Sequence, residues 1–179
     1  MEKASLKKKI KESPGRKNEL AVPRIEKIAI NVGLGRMSQQ PNFEDKTLPL
    51  VIKELALIAG QKPAPTVAKK SIAGFKMRSG QIIGLKVILR RGRMNDFLER
   101  LINAVFPRFR DFKGLDLANI DNKGNLNIGF RDHLVFPEIN PEDSGIDFGL
   151  EVSIVSSAKT REEAIELYRL LGIPLKKNG

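Results

Sequence analysis

Four stretches of the chain alternate apolar and polar residues at a period of two, the pattern of a strand with one covered and one wet face. Ile28, Ile30 and Val32 oppose Lys27, Ala29 and Asn31, and Leu85, Val87 and Leu89 oppose Lys86, Ile88 and Arg90. Further on, Leu126, Ile128 and Phe130 oppose Asn125, Asn127 and Arg131, while Phe148, Leu150, Val152 and Ile154 oppose Glu151 and Ser153. A short fifth strand is expected near Val67.

Three other stretches carry apolar residues at helical spacing. Leu48, Val51, Ile52, Leu55 and Ile58 form one stripe that stops at Gly60, a residue suited to a helix C-terminus. Met94, Phe97, Leu98, Leu101, Ile102 and Val105 form a second, which Pro107 should end. The third begins at Thr160 with Glu163 three residues on, a capping-box pattern, and ends at Gly172 before Pro174. These elements predict an α+β fold: an antiparallel or mixed sheet of about four to five strands, helices packed on one face, and the other face open. No linker or repeat divides residues 1–179, so a single domain is expected, with a short basic N-terminal arm over residues 1–20 and a projecting loop over residues 68–84.

Charge sharpens this picture because it is uneven. Residues 62–113 hold 13 Lys and Arg against Asp96, Glu99 and Asp111, whereas residues 114–179 hold 7 against 11 acidic residues. A basic middle beside an acidic third implies one surface aimed at a polyanion and another for a different partner. The chain has no cysteine, which removes disulfides, thiolate metal sites and thiol nucleophiles. No apolar run approaches the roughly 18 residues that span a bilayer, and no membrane partner is expected.

The candidate chemistry follows the charge. The wet strand face offers Lys27, Lys86, Arg90 and Arg131 for phosphate, and Asn31, Asn125 and Asn127 for 2′-hydroxyls and base edges. It has no aromatic pair on which bases could stack, so the expected mode is recognition of the shape and backbone of structured RNA. Between Val67 and Leu85 lies a long loop in which Lys70, Ser71, Gly74, Phe75, Lys76, Met77, Arg78, Ser79 and Gly80 mix cations, an aromatic and glycines, a composition suited to nucleic acid. Catalytic signals are weak. Gly33-Leu34-Gly35 follows a strand, but Ser38 stands where a dinucleotide fingerprint needs Gly or Ala and Pro41 breaks the following helix. His133 is the sole histidine, and Asp132 and Glu138 beside it lack the spacing of a metal site or catalytic dyad, so a structural or surface role, no metal and no cofactor are expected.

The runs VPRIEKIAINVGLG (residues 22–35), ELALIAGQKPAPTVAKKSIAGFKMRSGQIIGLKV (54–87), FPRFRDFKGL (106–115) and FPEI (136–139) together resemble the L5 family of large-subunit ribosomal proteins, bacterial or organellar type. The resemblance implies a non-catalytic protein of the central protuberance that binds 5S rRNA and helps attach it to the subunit. It also implies contact with peptidyl-site tRNA, with 23S-type rRNA, with other 5S-binding proteins and with the small-subunit head protein S13, in a cytoplasmic or organellar ribosome. Carried onto this chain, the 5S rRNA contacts fall on Asn31 and Gln61, with Lys62, Thr66, Lys69 and Arg90 beside them and Lys27, Lys86 and Arg131 from the open face. The tRNA contacts fall on residues 70–84, a finger whose glycines would serve reach and adaptability. The small-subunit bridge falls on Arg108, Arg110, Lys113, Glu142 and Asp143. The chain departs from the family pattern at Ile88, expected to pack away from RNA, and at Asn122, His133 and Ser144, where Gly, Gln and Arg are usual.

Overall fold

The computed structural model describes residues 22–109 and 112–176. Five strands, β1 (Ile25–Gly33), β2 (Ala64–Val67), β3 (Ile82–Leu89), β4 (Leu126–Phe130) and β5 (Leu150–Ser156), form one sheet. Their order is β2-β3-β1-β5-β4, and every neighbouring pair is antiparallel, so the expected sheet is realised without a parallel pair. The alternation in sequence fixes which face is dry: Ile28, Ile30, Val32, Leu85, Val87, Leu89, Val152 and Ile154 are all buried in the core cluster.

Three α-helices among the described residues cover that face. Helix α1 (Leu48–Ala59) buries Val51, Leu55 and Ile58 and ends at Gly60, whose φ of 65° no β-carbon has to share. A wide turn, Phe43–Thr47, leads into it and buries Phe43. Helix α2 (Arg91–Arg100) buries Met94, Phe97 and Leu98, and helical winding continues beyond it to end at Arg108, next to Pro107 as expected. It passes through a wide turn, Leu101–Val105, and a tight one, Phe106–Arg108, in whose first turn the missing proline N–H costs nothing. Helix α3 (Arg161–Leu170) starts as expected, with Thr160 Oγ1 accepting from the Glu163 N–H at 3.3 Å. The Glu163 carboxylate reaches back to accept from the N–H of Lys159, the residue before the cap.

One glycine decides how α3 docks. Gly124, with φ 78°, leaves so little room that a β-carbon there would lie 2.8 Å from Ala164 Cβ. Its carbonyl accepts hydrogen bonds from the buried Tyr168 hydroxyl at 2.7 Å and from Ser156 Oγ at 2.8 Å. Burial pushes the Tyr168 phenol up to about 12. The basic arm expected over residues 1–20 lies outside the described residues. No helix among the described residues is long and apolar enough to cross a membrane.

Candidate nucleic-acid interface

The face of the sheet away from the helices carries the residues expected there, now in register. Asn31 lies opposite Lys86 on one side and Glu151 on the other, and Lys86 lies opposite Ala64 on the edge strand. Thr66 pairs with Gly84, which in turn pairs with Gly33. Strands stand roughly 4.8 Å apart, so Thr66, Lys86 and Asn31 form one patch across β2, β3 and β1. Lys27 faces the same way from the start of β1, and Arg90 leaves β3 just before α2. Gln61 follows α1, where its Oε1 accepts from Arg93 Nη1 at 3.1 Å, and exposed Lys62 leads into β2. Arg131 stands apart, beyond the end of β4 on the far edge and about three strand spacings from Lys86.

Two residues in or beside this patch were not assigned a role from the sequence. Arg93 is one, joined to Gln61 only once α1 and α2 are packed together. Glu151 is the other, a carboxylate in the middle of the sheet beside Asn31. Period-two alternation already set it on the wet face, but a search for cations and amides passed over it. Asn31, Gly33, Thr66, Gly84, Gly149 and Glu151 line a shallow groove of about 490 Å³. Gly84 has no alternative, because a β-carbon would meet the Val32 carbonyl oxygen at 2.7 Å. Ile88 does not pack as expected: it is 41% exposed, because its partner across the ladder is Ala29 and the core lies on the opposite face.

The loop between β2 and β3 spans residues 68–81; residues 82–84, expected in it, belong to β3, where Ile82 pairs with Val67. It is an ordered extension of the hairpin. The Ala68 N–H donates to the Gln81 carbonyl, the Gly80 N–H to the Ala68 carbonyl, and Ile72 and Met77 exchange both main-chain bonds. A tight turn, Ala73–Phe75, forms the tip, and Lys76 closes it at φ 50°. Bonds to the segment after β1 tie it down: Gln39 Nε2 donates to the Phe75 carbonyl at 2.8 Å, and the loop's own Gln81 Nε2 donates to the Ser38 carbonyl at 3.0 Å. These bonds give the loop a defined shape, with its tip turned by Ala73–Phe75. Phe75 is 65% exposed and Ile72 45%, so neither folds back onto the core. Both serine hydroxyls are used inside the loop: Ser71 Oγ accepts from the Ser79 N–H, and Ser79 Oγ donates to the Lys69 carbonyl.

The residues expected at the small-subunit bridge come from two segments. Arg108 and Lys113 are exposed beside a cluster of aromatics in which buried Phe106 stacks on half-buried Phe112 and half-buried Phe109 meets Phe130. Glu142 and Asp143 sit on an exposed turn, where Asn140 Nδ2 donates to Asp143 Oδ2 at 2.9 Å. Arg110 lies outside the described residues. Asn122 is absorbed without strain, since its φ is not positive. His133 and Ser144 meet: the imidazole is fully buried, with Nε2 3.2 Å from Ser144 Oγ.

Two family models match the chain, one described as ribosomal protein L5 over residues 18–78 and one as the C-terminus of the same ribosomal family over residues 82–175. The chain is 48% identical over 160 residues to the large ribosomal subunit protein uL5 of Halothermothrix orenii, covering 89% of this chain and 87% of that protein. It is 49% identical over 163 residues to the protein of the same name from Kosmotoga olearia and 48% to that from Thermus thermophilus, in each case covering 91% of this chain and 87% of the relative.

Proposed function

Since the chain belongs to the ribosomal protein L5 family, and so is a structural constituent of the large ribosomal subunit, we propose that its open sheet face binds 5S rRNA and its 68–81 loop contacts peptidyl-site tRNA. It is not an enzyme, and it works in the cytoplasm as part of the ribosome, as do its bacterial relatives. The observation that carries the finer reading is the patch formed by Thr66, Lys86 and Asn31, with Lys27 and Arg90 beside it and Gln61 and Lys62 at its end, on a face that no helix among the described residues covers. Cations there neutralise phosphates, while amide and hydroxyl groups accept and donate at 2′-hydroxyls. The low relief around Gly33 and Gly84 admits an RNA backbone close to the sheet.

The same division of surfaces supports the remaining assignments. Arg131 on the far edge extends the 5S rRNA-facing surface beyond the central patch. The exposed acidic turn at Glu142 and Asp143, with Arg108 and Lys113, takes the basic small-subunit protein S13. Purified protein should bind 5S rRNA well above an unrelated hairpin of equal length at physiological salt. If Lys27, Lys62, Lys69, Lys86 and Arg90 each neutralise one phosphate, log K should fall against log salt with a slope of about −4. Equal affinity for the two RNAs would defeat the reading.

A further inference from the structure

We propose that His133, Asp132 and Asp147 form a binding site for a zinc-type divalent metal ion, with Glu54 orienting the imidazole. The three residues each bring one ligand atom within 4.8 Å of the others. What lifts this above a surface cluster is the imidazole itself. His133 is fully buried, its ring stacks flat on Phe148 at 4.0 Å and 10°, and its Nδ1 has no hydrogen-bond partner among the described residues.

The neighbours of the other ring nitrogen fix the tautomer. Nε2 lies 2.8 Å from Glu54 Oε2 and 3.2 Å from Ser144 Oγ. The Ser144 hydroxyl donates its only proton to the Ile146 carbonyl at 3.0 Å, and a carboxylate can only accept. Both neighbours of Nε2 are therefore acceptors, and Nε2 carries the hydrogen. In the neutral imidazole, the form that binds a metal, this leaves the buried Nδ1 lone pair without a partner, 3.6 Å from Asp132 Oδ1.

The distances suit a metal better than a proton. Nδ1 stands 3.6 Å from Asp132 Oδ1, too long for an N–H···O bond. Ligand atoms around a tetrahedral zinc with bonds of about 2.0 to 2.1 Å lie roughly 3.3 Å apart, so this edge is nearly formed. Asp132 Oδ1 is held in place by the Leu134 N–H at 2.8 Å. Asp147 is exposed and can swing the short distance that remains, and the Asp132 side chain is 43% exposed, which gives an ion a way in. Glu54 Oε2, buried, 2.8 Å from Nε2 and otherwise without a hydrogen-bond partner, is placed to serve as the carboxylate of a carboxylate–histidine–metal relay once the ring is ligated. Ligand atoms drawn from the turn after β4 and the strand entry before β5 would make the ion a clip across residues 131–149.

The chain has one histidine and no cysteine, so no second nitrogen or sulfur site competes, and the test is clean. Tag-free protein is titrated calorimetrically with zinc chloride in a non-chelating buffer, and with cobalt(II) followed by visible absorption. The expected result is one ion per chain with a four-coordinate cobalt band. His133→Gln, whose amide can still donate to Glu54 and Ser144, should weaken zinc binding at least 100-fold and abolish the band. Glu54→Gln should weaken binding about 10- to 100-fold, as loss of an orienting carboxylate does. Asp147→Asn, on the exposed segment, should weaken it at least 10-fold with the protein still folded. Absence of saturable zinc binding in the parent chain would overturn the proposal. So would undiminished binding, or an unchanged cobalt band, in either His133→Gln or Asp147→Asn.

Discussion

Two connections in this molecule join antiparallel strands that a two-residue turn could have joined. Residues 68–81 link β2 to β3, and residues 131–149 link β4 to β5, yet they spend their length in opposite ways. The first buries only Ala68 and holds its shape with main-chain bonds and the side chains of Gln39 and Gln81. The second buries His133, Phe136, Ile139 and Phe148 and is an extension of the core. A long loop thus has two physical justifications. It can present side chains to a partner on a backbone that satisfies itself, or it can supply apolar surface the sheet and helices lack.

The largest effect that could break this contrast is on stability. Phe136 is buried between Phe130 and Phe97, with ring centroids 5.3 and 6.2 Å away. Phe136→Ala should lower the unfolding free energy by about 3–5 kcal/mol, from lost transfer energy and the cavity left behind. Phe75→Ala, at the exposed tip, should change it by less than about 0.5 kcal/mol. Urea midpoints read both. Comparable losses would mean that the tip is packed after all and that the two connections do not differ in kind.

A smaller effect sharpens the second connection. Glu138 accepts from Arg100 Nη1, while Arg100 Nη2 donates to the Ile58 carbonyl at 3.2 Å, so the pair straps residues 131–149 to α1 and α2. The Arg100 and Glu138 side chains are 37% and 21% exposed, and solvent screens the pair. Glu138→Ala should cost about 1 kcal/mol, read again from urea midpoints, because Arg100 keeps the Ile58 carbonyl as a partner. A loss as large as that of Phe136→Ala would show that the strap, not the aromatic packing, holds the segment.

The two connections also differ in how far their sequences betray them. The mixture of Lys, Gly and Phe over residues 68–81 is a local signal, and it marks the exposed loop correctly. It cannot show the tether, because Gln39 reaches Phe75 across 36 positions of sequence. The sheet and helices are legible because periodicity is local too, and Leu85, Val87 and Leu89 declare a dry face without reference to anything distant. Ile88 misleads for the converse reason: hydrophobicity argues for burial, but the pleat leaves it opposite Ala29 on the wet side. The sequence sets His133 beside Asp132 and Glu138. Its partners in space include Glu54 and Ser144, which only the packing of α1 on the 131–149 segment brings to it. Glu151 is visible but unvalued, since a search for cations does not count a carboxylate.

The smallest stability effect comes with the most specific functional one, at the tip of the first connection. Lys76 and Arg78 are both exposed, and neither side chain has a salt bridge among the described residues, so Lys76→Ala with Arg78→Ala should leave stability within about 0.5 kcal/mol. Lys76 already sits at φ 50°, and alanine carries the same left-handed backbone cost, so the turn at Ala73–Phe75 should survive. The patch of Asn31, Thr66 and Lys86 lies on the sheet rather than at the loop tip and keeps its charge, and 5S rRNA affinity should stay within about twofold. Removing two phosphate-seeking cations should instead weaken the binding of peptidyl-site tRNA to ribosomes carrying the variant and make its salt slope about 1.4 to 1.8 shallower. Filter binding at several salt concentrations measures both interactions. If the double variant loses 5S rRNA affinity and keeps the tRNA contact, the loop and the sheet have exchanged the roles argued for them. The contrast between the two connections would then be one of packing alone, with no division of partners behind it.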